Sequence, residues 1–118
     1  MGEMEIKELA KKVYQTLSDK KAVDIRVIDI REVTVVADYF LIATVNNAPQ
    51  LSALMDAVDE TMYKNGVHSK NIEGNQHSSW VLMDYGDIII HLFTGEDRLF
   101  YDLERIWQDG KTIAAEEL

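Results

Sequence analysis

The sequence predicts an α/β sandwich packed around a mixed β-sheet of about five strands. Three observations carry this. Apolar stripes recur at helical spacing near the start, middle and end of the chain. Between them lie strand-length runs rich in β-branched and aromatic residues. The resulting element order, αββαβββα, leaves helices to cover a sheet. At 118 residues the chain suits one domain, expected over residues 1–110, with 111–118 as a flexible acidic tail. Folding a chain of this size buries roughly 65% of its extended surface, which is enough for one core without staples.

The first segment, Glu3 to Lys21, places Ile6, Leu9, Ala10, Val13, Tyr14 and Leu17 on one helical face. Charged residues occupy the opposite face, and Lys20 and Lys21 suit the C-terminal dipole. Asp24 to Ile30 then alternates as a strand, with Arg26, Ile28 and Ile30 on one side. Val33 to Val45 is a second strand region, interrupted by Asp38, so the central strand is expected from about Tyr39 to Thr44. Asn46-Asn47-Ala48-Pro49 signals a helix start, continued by Leu51, Leu54, Met55, Val58 and Met62 and stopped by Gly66.

A short strand is expected around Ser69 to Ile72, followed by a polar loop over residues 73–79. Trp80–Asp84 and Asp87–Phe93 read as two strands of a hairpin joined by Tyr85-Gly86. Thr94 to Asp97 resembles a helix cap, and Phe100, Leu103, Ile106 and Trp107 form the stripe of a last helix ending at Gly110.

Composition narrows the function. Twelve Lys and Arg against twenty-one Asp and Glu leave a net charge of −9, which repels phosphate backbones and disfavours DNA or RNA as a direct partner. A basic protein is the better match. The absence of cysteine removes disulfides, thiolate zinc sites and cysteine nucleophiles. No apolar run reaches the length of a membrane span, and the acidic start is unlike a signal peptide, so a cytoplasmic location is expected.

Enzyme chemistry finds little support. His68, His77 and His91 are never three to five residues apart, so the local pair of a zinc enzyme is missing. His91 lies in a strand and reads as a structural residue; His68 and His77 sit in polar segments. Asp84, Asp87, Asp97 and Asp102 are acids that could hold a cation, but those at the hairpin are explained by turn hydrogen bonding. No phosphate-binding loop or nucleophile elbow occurs. No cofactor is implied.

The unusual feature is aromatic surface beside acids. Along a strand Trp80, Leu82 and Asp84 share one face, while Val81, Met83 and Tyr85 share the other. Asp84 cannot be buried unpaired, so either it caps the turn or the Trp80 face is partly exposed. Exposed Trp and Tyr edged by carboxylates suit contact with a basic protein.

Three segments together resemble a known family. They are Val36-Ala37-Asp38-Tyr39-Phe40-Leu41-Ile42-Ala43-Thr44 followed by Gln50, then Trp80 through Phe93, then Phe100-Tyr101-Asp102-Leu103-Glu104-Arg105-Ile106-Trp107. In this order they are similar to the V-A-D-Y-F-x-I-A…Q, W-x-L-x-D-Y-G-D-x-x-x-H-x-F and F-Y-x-L-E-x-L-W segments of the Iojap, or ribosomal silencing factor (RsfS), family. The similarity runs from about Ile6 to Asp109. Where the family usually has Ser and Arg before the Gln, this chain has Ala48 and Pro49.

The resemblance implies a nucleotidyltransferase-like sandwich without the catalytic apparatus of those enzymes. It implies a repressor of translation that binds the large ribosomal subunit through ribosomal protein L-fourteen and blocks joining of the small subunit. Carried onto this chain, the motifs put the contact centre at Trp80, Leu82, Asp84 and Tyr85, with Asp38, Tyr39 and His91 second. Tyr39 and Phe40 point to opposite faces, so at most one is expected to touch a partner while the other packs. Related proteins are often dimers, which makes a second copy a further candidate partner. The alternative reading is a nucleotide-dependent enzyme retained from the fold's ancestry.

Overall fold

The computed structural model describes residues 3–32, 35, 37–74, 80–94 and 111–113. Their elements run α1 (Glu3–Asp19), β1 (Val23–Asp29), β2 (Tyr39–Val45), α2 (Ala48–Lys64), β3 (Asn71–Glu73), β4 (Trp80–Asp84), β5 (Ile88–Thr94) and β6 (Lys111–Ile113). The expected last helix, with Phe100, Leu103, Ile106 and Trp107, lies outside the described residues, as does His77.

The six strands form one sheet in the order β3-β4-β5-β2-β1-β6. β2 and β5 are parallel, and the other described pairings are antiparallel, so the sheet is mixed as expected. β2 lies at the centre, and all seven of its residues are buried. A strand covered on both faces must read as a nearly continuous apolar run, and Tyr39 to Val45 does so, interrupted by Thr44 alone.

Both helices pack on one face. Ile6, Leu9, Ala10, Val13 and Leu17 of α1 join Leu51, Leu54, Val58 and Met62 of α2 against Val27, Leu41, Ala43, Val81, Met83, Ile90 and Leu92. Each fully buried aliphatic side chain here contributes about 1.5–3 kcal/mol relative to exposure. On the opposite face a second cluster holds Ile28, Ile30, Ala37, Phe40, Ile42, Ile89 and Phe93, with Trp80 and Leu82 half-buried against it.

The helix ends share one device. α2 starts at Asn47, whose side chain accepts from the Gln50 amide at 2.8 Å, and the Gln50 side chain in turn accepts from the Asn46 amide at 2.8 Å. This is a capping box shifted by one residue. The same Gln50 side chain donates to the carbonyls of Lys20 and Lys21, at 3.3 and 3.1 Å, tying the start of α2 to the end of α1. α2 closes on Gly66 at φ +78°, with Val67 donating to Met62 and Gly66 to Tyr63. α1 closes in the same pattern, Ala22 to Leu17 and Lys21 to Ser18, but with Lys21 in the left-handed position at φ +66°.

Three expectations are corrected. The hairpin turn is Gly86-Asp87, one residue later than Tyr85-Gly86. The Tyr85 amide donates to the Ile88 carbonyl at 3.0 Å, and Gly86 takes the left-handed position at φ +89° that such a turn requires. The third strand is Asn71–Glu73, two residues later at its start than Ser69. Residues 111–113, placed in a tail by composition, pair with β1 as Val27↔Ile113, Ile28↔Thr112 and Asp29↔Lys111.

Candidate functional site: the β4 face

β4 delivers the candidate residues by simple alternation. Val81 and Met83 are buried toward the helices, whereas Trp80, Leu82 and Asp84 are half-buried on the other face. The β4–β5 register sets Trp80 opposite Phe93, Leu82 opposite His91 and Asp84 opposite Ile89. The β2–β5 register adds Ile42 beside His91.

An aromatic platform results. Trp80 lies parallel to Phe93, with ring centroids 5.7 Å apart and planes within 8°. It is also 5.8 Å from the His91 ring, which in turn meets Phe40 at 4.7 Å. The Trp80 indole N–H donates to Nδ1 of His91 at 3.0 Å. Accepting that bond requires a neutral imidazole with its proton on Nε2. His91 is buried, and burial lowers its pKa to about 4. Its Nε2 has no hydrogen-bond partner among the described residues. His91 therefore fixes the orientation of Trp80 from below and does not itself reach the surface.

Tyr85 is placed differently from its expected role. It extends the Val81–Met83 face, is buried, and donates its hydroxyl to Asp59 Oδ1 of α2 at 2.9 Å. Burial, then the Asp59 hydrogen bond, raises its pKa. Tyr39 is likewise buried on the helical face, and Phe40 is buried on the other, so neither ring is presented to a partner. Of the seven candidate residues, Trp80, Leu82, Asp84 and Asp38 reach solvent, while Tyr85, Tyr39 and His91 support them from inside.

The acids sit at the end of the sheet where β4 turns into β5. Asp84 Oδ1 accepts from the Gly86 amide at 2.8 Å, the turn role foreseen for it, and its backbone carbonyl accepts from Lys70 at 2.7 Å. The Asp87 carbonyl accepts from the amides of both Asp38 and Tyr39, at 2.8 and 3.1 Å. Burial and then the Asp87 carboxylate raise the pKa of Asp38. Arg31 forks onto Asp29, with Nη2–Oδ2 at 2.6 Å, and its guanidinium lies 5.5 Å from the Tyr39 ring centre. No group of three His, Asp or Glu among the described residues is arranged to hold a metal ion. Among those residues, no helix is long and apolar enough to cross a membrane.

Sequence reasoning missed Phe93 and Glu73 as parts of this face. Only strand register reveals them, because Phe93 comes under Trp80, and Glu73 comes beside Leu82, through pairing across strands.

Comparison with known proteins agrees with the described fold. The profile of the family described as "Ribosomal silencing factor during starvation" matches residues 3–118. Ribosomal silencing factor RsfS of Bacillus subtilis is 36% identical over 107 residues, covering 91% of this chain and 91% of that protein. The RsfS protein of Halalkalibacterium halodurans is 31% identical over 113 residues, covering 96% and 97%. A crystal structure of a Chromobacterium violaceum protein superposes with a TM-score of 0.83 at 31% identity, covering 87% of this chain and 86% of that one.

Proposed function

The chain belongs to the ribosomal silencing factor (RsfS) family, and from that premise we propose that it represses translation by occupying the large ribosomal subunit where the small subunit would dock. Family membership itself implies ribosome-associated repression. The finer reading is that the contact is with the basic ribosomal protein L-fourteen and that joining is blocked by occlusion, with no catalytic step.

The observation that carries this reading is the half-buried strip of Trp80, Leu82 and Asp84, on the sheet face turned away from α1 and α2. A Trp held rigid by Phe93 and His91 loses little side-chain entropy on binding, which is the property of an interface anchor. Asp84 and Asp38 add negative charge at one end, in a chain whose net charge of −9 steers it toward a basic protein. An interface of about 1,600 Å² in total would suffice to obstruct a neighbouring particle.

The test is co-sedimentation with isolated large subunits, together with the yield of joined ribosomes. The protein should travel with large subunits and lower that yield. If Trp80→Ala with Leu82→Ala left subunit binding unchanged in a folded protein, the assigned surface would be wrong.

A further inference from the structure

We propose that the small pocket between Glu73 and Trp80 receives a single lysine or arginine side chain from a basic protein partner, with Glu73 as the residue that selects for it. The inference rests on the silencing-factor reading and names the chemistry that reading leaves open at its centre.

Strand pairing builds the pocket. β3 sets Glu73 directly opposite Leu82, so its side chain emerges on the same face as Leu82 and, two residues along β4, Trp80. Glu73, Gly74, Trp80 and Leu82 line a cavity of about 80 Å³. Metabolite pockets occupy roughly 300–1,000 Å³, so this one is sized for a single side chain. Gly74, at φ +93°, contributes backbone and no side chain to the wall.

The lining defines the occupant. Trp80 and Leu82 offer apolar walls to a methylene stem, and the exposed carboxylate of Glu73 stands at their edge to meet a cationic head. Among the described residues no cation pairs with Glu73, whereas Glu60 and Asp29 have theirs in Lys64 and Arg31. Asp84 lies further along the same face and, with the overall charge of −9, discriminates against acidic segments.

Two measurements on the full chain test this. In the first, deca-lysine is titrated into labelled protein, followed by the NMR signals of the Trp80 indole N–H and the Gly74 amide, with deca-glutamate as control. Both signals should shift saturably with deca-lysine alone, and the shifts should be lost in Glu73→Gln. Unmoved signals, or shifts that persist in Glu73→Gln, overturn the proposal; so does a shift confined to the β3 backbone, which would indicate strand addition at the sheet edge. In the second, affinity for isolated large subunits should fall about tenfold in Glu73→Gln and further in Glu73→Lys. Equal binding by wild type and Glu73→Gln overturns the pocket's role. If the wild type itself ignores large subunits, the silencing reading falls, and the peptide titration alone decides the pocket.

Discussion

The Tyr85 hydroxyl donates to Asp59 Oδ1 at 2.9 Å, joining the last residue before the β4–β5 turn to the middle of α2. That bond makes Tyr85 a clamp between sheet and helix, although its place in the motif suggests a contact residue. Tyr85→Phe keeps the ring and removes the bond, so it should cost about 1 kcal/mol in urea unfolding and leave large-subunit affinity within about twofold. Because the folded pKa of Tyr85 is raised, the unfolded chain ionises first. Wild-type stability should therefore fall as pH rises past about 10, and Tyr85→Phe should lose that part of the decline.

Trp80 and Leu82 lie half-buried on the other face of β4, and their truncation should separate binding from folding. Trp80→Ala with Leu82→Ala is expected to weaken large-subunit binding by about 2 kcal/mol, or roughly thirtyfold. Circular dichroism should retain the native spectrum. Trp80→Phe keeps an aromatic ring but leaves the buried Nδ1 of His91 without its donor; a stability loss of about 1–3 kcal/mol is expected.

His91 supplies a pH dependence with a definite sign. Its pKa is about 4 in the folded protein against 6.5 in the unfolded chain, so below pH 6.5 the unfolded chain takes up a proton that the folded one refuses. Stability should be full above about pH 6.5 and should decline as pH falls toward 4, by on the order of 3 kcal/mol from this group. Urea midpoints measured across that window should show the decline in wild type and a flatter profile in His91→Gln.

Two left-handed residues give opposite predictions. Gly86→Ala forces a side chain into φ +89° and brings its Cβ to 3.2 Å from Lys70 Cε, so a loss of about 1–2 kcal/mol is expected by thermal or urea unfolding. Lys21 already sits at φ +66° in the helix closure that Gly66 performs for α2. Lys21→Gly should therefore stabilise the protein, by about 0.5–1 kcal/mol.

Asp38 tests the electrostatic part of the contact. Its raised pKa means that the folded structure disfavours its charge, chiefly through burial and then through Asp87. Asp38→Asn should leave stability intact or slightly higher near neutral pH. If Asp38 faces a basic partner, the same variant should bind large subunits more weakly and with a smaller dependence on salt.

Local pattern was enough to determine much of this protein. Period 3.6 marks α1 and α2, period 2 divides β4 into a Trp80 face and a Val81 face, and Asn47 and Gly66 bracket α2, because these effects act between residues within a turn or a pleat of one another. The three motif segments were enough to identify the family. Only the tertiary structure could decide which candidate residues reach solvent. Tyr85 is committed to Asp59, 26 residues away; His91 lies beneath Trp80; and Glu73 stands beside Leu82. Each of these is set by strand register and helix docking. Residues far apart along the chain become neighbours only when the sheet assembles, and no local spacing encodes which side of that sheet will be covered.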